Sequence, residues 1–235
     1  MALGPAGRPQ IDGVLKSESL REILILEFRT ADAIPFIASS IAAVYSVAKE
    51  NGNGEVYSGE NSMSLNLTAD VNGTPNNMNA TLKVLTGKIA TRTRLICRVL
   101  VDEDAADWNA FGVFLTRYDG SESAAAQFFL NSNYGVTNAF QYVTTAGATV
   151  TLSELSSFWH AGDSVWLEIE IGVNFVDNVY EYIKVGSQRI NLDAAVQVSA
   201  DTTAPHTKIH FNWSHKDGVS SRRALIDRVY WEEID

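Results

Sequence analysis

The stretch Gly162-Asp-Ser-Val-Trp-Leu-Glu-Ile-Glu-Ile171 decides the fold. Its apolar residues Val165, Leu167, Ile169 and Ile171 alternate with Trp166, Glu168 and Glu170. A period of two belongs to a β-strand, which sends successive side chains to opposite faces of a sheet. The aliphatic set is expected to enter a core, with Trp166, Glu168 and Glu170 on the other side. A slip of one residue would bury both carboxylates without partners, so the register is strongly specified.

Strand-like runs continue in both directions. Before this stretch lie Glu22–Phe28, Ser64–Thr68, Met78–Thr86, Thr93–Val101, Ala110–Tyr118, Ala124–Leu130, Ala139–Thr144 and Ala148–Leu152. After it come Asn178–Val185, Thr207–Trp213 and Ala224–Ile234. Turn residues such as Asp119-Gly120 and Ala146-Gly147 separate neighbours. Glu22–Phe28, apolar on both faces, reads as a strand central to the fold. Residues 34–50 fit a helical stripe through Ile37, Ile41, Val44 and Ala48. The Asn51-Gly-Asn-Gly54 turn between two β-branched, aromatic-containing runs favours a strand there instead. Short strands and no long helical period predict an all-β, two-sheet antiparallel sandwich of the jelly-roll kind. Residues 1–20, with Pro5, Pro9, Gly4, Gly7 and Gly13, read as an extended arm. The remainder, 21–235, reads as one domain.

Composition narrows the function classes. The 235 residues carry 18 basic and 28 acidic side chains, a net charge of −10. Binding duplex nucleic acid or an anionic membrane surface needs an extended basic footprint that this chain lacks. No signal peptide or transmembrane segment is visible, and the chain reads as soluble. The one cysteine, Cys97, excludes an internal disulfide framework, and its place between Leu95 and Val99 on one face of a strand makes it a small buried hydrophobe. The acidic run Asp102-Glu-Asp-Ala-Ala-Asp107 lacks the spacing and glycine of a calcium loop. No set of histidines has metal-ligand spacing, so no cofactor or metal is expected.

Three segments together resemble the concanavalin A-like lectin/glucanase superfamily, including its laminin-G-like modules. They are the Trp-led strand Gly162–Ile171, the strand-then-turn Tyr180-Glu-Tyr-Ile-Lys-Val-Gly186, and the ending Leu225-Ile-Asp-Arg-Val-Tyr-Trp-Glu-Glu-Ile234. The resemblance implies a curved sandwich whose last strand pairs with its first and whose concave sheet bears the working face. It carries fold more than function, because the superfamily spans lectins, hydrolases, lyases and structural modules.

Alternation then proposes that face. In Val179–Val185, Val179, Ile183 and Val185 are expected inward, and Tyr180, Tyr182 and Lys184 outward. In Lys208–Trp213, Ile209 and Phe211 are core, and Lys208, His210 and Asn212 are exposed. If these strands share the concave sheet, Trp166, Glu168, Glu170, Tyr180, Tyr182, Lys184, His210 and Asn212 form one ligand-binding surface. Its aromatic rings suit sugar rings, and its carboxylates and amides suit hydroxyls.

No complete catalytic set stands out. Glu168 and Glu170, two apart on one strand, lie roughly 6.5–7 Å apart, wider than the about 5–5.5 Å of a retaining glycosidase pair. The further outward positions on that strand, Gly172 and Asn174, supply no third acid. His210 with Tyr182 would be the proton-transfer pair of a polysaccharide lyase, but the order of Tyr182 and His210 along the chain is the reverse of the alginate-lyase motifs that they resemble. The reading is therefore a non-catalytic structural or recognition module, such as a virion surface, decoration or attachment protein with a glycan-binding concave face. It would assemble, with itself or into a larger particle, through the N-terminal arm. The alternative is a carbohydrate-active enzyme, a glycoside hydrolase or polysaccharide lyase, on the same fold.

Overall fold

A computed structural model describes residues 16–18, 21–28, 33–40, 45–51, 56–57, 61–67, 76–84, 91–101, 108–131, 139–155, 165–215 and 222–234. The arm through residue 15, the turn at 52–55 and the acidic run at 102–107 lie outside the described residues.

The strands in chain order are β1 (Lys16–Glu18), β2 (Arg21–Leu26), β3 (Ile37–Ser40), β4 (Tyr45–Glu50), β5 (Ser62–Leu67), β6 (Asn76–Val84), β7 (Arg92–Val101), β8 (Trp108–Tyr118), β9 (Glu122–Asn131), β10 (Ala139–Val143), β11 (Thr149–Thr151), β12 (Leu167–Asn174), β13 (Val179–Val185), β14 (Gln188–Ala195), β15 (Gln197–Ala200), β16 (His206–His215) and β17 (Arg222–Glu233). They form two antiparallel sheets, packed as an open sandwich. The nine-stranded sheet runs β1-β2-β17-β7-β12-β13-β14, with β5 also on β17 and β4 on β5. The eight-stranded sheet runs β11-β10-β9-β8-β16-β6-β3, with β15 on β9. Among the described residues no helix is long and apolar enough to cross a membrane.

The Trp-led strand sits where its pattern requires. β12 lies between β7 and β13, with Leu167 opposite Val99, Ile169 opposite Cys97 and Ile171 opposite Leu95, all turned into the core. Val165 departs from expectation: it precedes β12 and is 49% exposed. Cys97 is fully buried, which drives its thiol pKa well above the usual range and leaves it inert. Facing this layer, the other sheet contributes Phe111, Phe128, Phe140, Phe211 and Trp213. The ring of Phe211 packs on Phe36 at 5.4 Å and on Phe111 at 6.2 Å. Each such side chain contributes about 1.5–3 kcal/mol of burial.

Several expectations change. Residues 37–40 and 45–50 are strands, as the turn chemistry favoured, but they belong to different sheets. β2 is not central. It lies one strand from the edge, with Leu24 and Leu26 in the core and Ile25 only half-buried. The last strand does pair with it: β17 takes β2 along Val229–Glu232 and β5 along Arg222–Ile226, bulging between Ile226 and Val229. β14 and β15 extend the strand pattern beyond Val185, where the sequence had suggested none. Lys16–Glu18, placed in the arm by composition, pair with β2 as an edge hairpin.

Candidate functional site

Each sheet has an outer face, and the two differ in chemistry. On the nine-stranded sheet the outward positions of β7, β12, β13 and β17 bring long ionisable side chains side by side. Arg98 Nε donates to Glu168 Oε2 at 3.1 Å, and Arg92 Nη2 lies 2.6 Å from Glu181 Oε1. Arg94 hydrogen-bonds Glu232 and lies 3.6 Å from Glu170. Burial works to lower the Arg94 pKa, but these carboxylates outweigh it and hold the guanidinium above its ordinary value. Tyr182 Oη donates to Glu170 Oε1 at 2.6 Å, and Lys184 Nζ stands 3.5 Å from Glu170 Oε2. Burial, and then this bond to a carboxylate, raise the Tyr182 phenol well above its usual range. The Arg189 guanidinium caps the same ring at 3.6 Å. Gly172 makes this close approach possible, since a Cβ there would lie 2.2 Å from the Tyr182 ring.

The sequence-derived surface is therefore divided. Glu168, Glu170, Tyr182 and Lys184 share this face, with Trp166 beside Tyr57 at 6.2 Å. Glu170 points away from the inter-sheet core yet is only 7% exposed, covered by its own partners. Tyr180 does not join them. A bulge between Tyr180 and Tyr182 inserts Glu181 and turns Tyr180 inward. There its hydroxyl donates to Val143 O at 2.9 Å and accepts from Gln127 N at 2.8 Å, tying the two sheets together. His210 and Asn212 do not join them either, because β16 belongs to the other sheet. A depression of about 230 Å³ does open on the ion-paired face, between Arg94, Ile96, Arg98, Glu168, Arg228 and Tyr230.

The outer face of the eight-stranded sheet carries a groove of about 280 Å³, just below the roughly 300–1,000 Å³ typical of ligand pockets. β8 supplies Phe114, Thr116 and Tyr118, β9 supplies Ser123, Ala125 and Gln127, β15 supplies Gln197 and Ser199, and β16 supplies Lys208 and His210. The His210 ring stacks on Phe114 at 4.7 Å and 18°, and Phe114 meets Phe129 edge-on at 5.1 Å. Gly112 leaves the space for this stack: a Cβ would lie 2.5 Å from Phe114. Asn79 Oδ1 accepts from both His210 Nε2 at 2.7 Å and Asn212 Nδ2 at 2.8 Å. Asn212 thus orients the histidine through Asn79. With Nε2 donating, Nδ1 is the ring's acceptor, and burial, with Lys208 adding to it, lowers the pKa to about 4, so the ring is neutral at pH 7. Gln127 Nε2 donates to Gln197 Oε1 at 2.6 Å. That bond leaves Gln127 Oε1 and Gln197 Nε2 without protein partners among the described residues.

Phe114, Tyr118, Gln127 and Gln197 were missed in the sequence. A signal was present, since Gly112, Phe114, Thr116 and Tyr118 alternate with the core residues Phe111, Val113 and Leu115. A glycine two residues from an aromatic on one strand face marks a ring lying over backbone.

No family model matches the chain, and no curated protein sequence is detectably similar to it. Solved structures are similar. The lectin UEA-II, in a structure described as its complex with galactose, matches with a TM-score of 0.53 at 10% identity, over 93% of this chain and 100% of the lectin. Cellulose-induced protein Cip1 matches with a TM-score of 0.52 at 12% identity, over 88% of this chain and 96% of that protein. With the two-sheet topology, these show the sandwich fold that the resemblance to concanavalin A-like lectins implied.

Proposed function

We propose that the protein is a non-catalytic glycan-recognition module that binds through the outer face of the eight-stranded sheet. The observation that carries this is the groove itself. Aromatic rings of Phe114 and Tyr118 lie beside amide, hydroxyl and imidazole groups with unused hydrogen-bonding capacity, and none of the described residues that line it bears a carboxylate. Sugar rings stack their C–H faces on aromatics and offer hydroxyls to such groups. The lectin of similar fold, bound to galactose, supports the class of ligand.

On this reading His210 belongs to the binding groove and Asn212 positions it. Trp166, Glu168, Glu170, Tyr182 and Lys184 serve the sheet instead. The proposal extends to an attachment or virion-surface role, in which residues 1–15 tether the domain to further copies or to a larger particle. The Pro- and Gly-rich composition of that segment supports an extended tether.

A glycan array followed by titration tests the reading. Phe114→Ala and Tyr118→Ala should each weaken binding at least tenfold, with Glu168→Gln unaffected. Polysaccharide turnover that disappears in His210→Ala would replace recognition with catalysis. Removing residues 2–15 should reduce self-association in size-exclusion chromatography and leave the melting temperature in place.

A further inference from the structure

The charge around the groove is segregated from the rest of the molecule. Lys208 of β16 and Lys83 of β6 stand directly opposite each other on the groove-bearing face. Like charges in that cross-strand position repel, and nothing in the packing of the sandwich requires them there. Neither lysine is in an ion pair with a described residue. The described outward positions of β6, β8, β9, β15 and β16 hold no carboxylate. Asp201, just past β15, acts on Lys208 from beyond the strand face, and its carboxylate accepts from the backbone N–H of Thr203 at 2.9 Å. Lys208 Nζ is held over the Tyr118 ring, 5.4 Å from its centre, at the groove wall. A chain of net charge −10 thus holds two adjacent cations on its groove-bearing face without an ion pair among the described residues, while the opposite face pairs Arg92, Arg94 and Arg98 with glutamates.

We propose that the groove takes a glycan bearing acidic groups, a uronate carboxylate or a sulfate, received by Lys208 and Lys83 while its sugar ring lies against Phe114 and Tyr118. The proposal rests on the glycan-recognition reading and names its ligand class. The ligand's anion would relieve the repulsion between the two lysines. Because His210 is neutral at pH 7, the charge that selects the ligand comes from the lysines alone.

The test is isothermal titration of the full chain with oligosaccharides of matched length: neutral β-glucan, oligogalacturonate, and chondroitin sulfate, each at low and high salt. The uronate and sulfate arms separate the two acidic groups. At least one acidic ligand should bind about tenfold or more tightly than the neutral one, and its affinity should fall with salt. Lys83→Gln, outside the groove lining, should remove much of that preference while leaving neutral binding and the melting temperature unchanged, and Lys208→Gln should weaken acidic binding at least tenfold more than neutral binding. Equal, salt-insensitive binding of neutral and acidic ligands would overturn this inference and leave glycan recognition standing. An acidic preference untouched by either lysine variant would also overturn it. Binding to no oligosaccharide of any class would overturn both.

Discussion

The two outer faces of the sandwich are made of the same alternating strands, yet they handle polar groups in opposite ways. On the nine-stranded sheet, Arg92, Arg94 and Arg98 each meet a glutamate, and Glu170 draws Arg94, Lys184 and Tyr182 together until it is nearly buried. A ligand there would have to displace bonds already made. On the eight-stranded sheet, rings stack on rings, as His206 does on Tyr118 at 4.3 Å, and the amides between them are only partly used. A ligand there would meet Gln127 Oε1 and Gln197 Nε2, which have no protein partner among the described residues. Polar density alone is therefore a poor guide to a binding face, and unspent hydrogen-bonding capacity beside aromatic rings is a better one.

The largest expected effect lies in the ion-paired face. Glu232 is 1% exposed and receives both Arg94 and the Tyr230 hydroxyl, the latter at 2.6 Å. Glu232→Gln should cost about 3 kcal/mol, the low end for breaking a buried pair because Arg94 keeps some solvent contact. Chemical denaturation measures it, and a loss below about 1 kcal/mol would mean that the lattice is ordinary surface pairing.

The groove face should show its difference through pH. The His210 pKa is lowered to about 4 in the folded state against an unperturbed value of about 6.5, so the unfolded chain binds the extra proton first. The stability from keeping this ring neutral is present above pH 6.5 and is lost as pH falls toward 4, on the order of 3 kcal/mol. Comparing wild type with His210→Gln across that window isolates the term, because carboxylates elsewhere titrate equally in both. Parallel pH profiles would rule out a neutral, desolvated histidine.

Two glycine substitutions sharpen the comparison directly. Gly112→Ala and Gly172→Ala each drive a Cβ into a ring, Phe114 in one case and Tyr182 in the other. Both should destabilise by about 1–3 kcal/mol, the usual range for overpacking. Only Gly112→Ala should also weaken glycan binding. Equal binding losses in the two variants would remove the functional distinction between the faces. The smallest effect belongs to Glu168→Gln, whose partner Arg98 is partly exposed: below about 1 kcal/mol by thermal melting, with binding unchanged.

Much of the core was legible because burial of a sheet face imposes a period of two. Leu167, Ile169 and Ile171 on β12, and Ile209 and Phe211 on β16, sit where alternation put them. Tyr180 escaped this reasoning because a bulge adds one residue and reverses the phase, and a bulge leaves no mark in the local pattern when both residues beside Glu181 are tyrosines.

Sequence by itself determined the all-β class, most of the strands and, for most of their residues, whether a side chain faces the core or the outside. That information is local, since the pleat couples each residue to its neighbours two positions away. It could not determine which sheet a strand enters. His210 and Glu168 both point outward, but from opposite sides of the sandwich, because β16 pairs with β6 and β8 whereas β12 pairs with β7 and β13. Strand partners are chosen by contacts between segments far apart in the chain, through the shape and packing of the whole core. Only the tertiary structure could therefore separate the eight candidate residues, pair the carboxylates with arginines, and reveal the groove that Phe114, Tyr118, Gln127 and Gln197 form around His210.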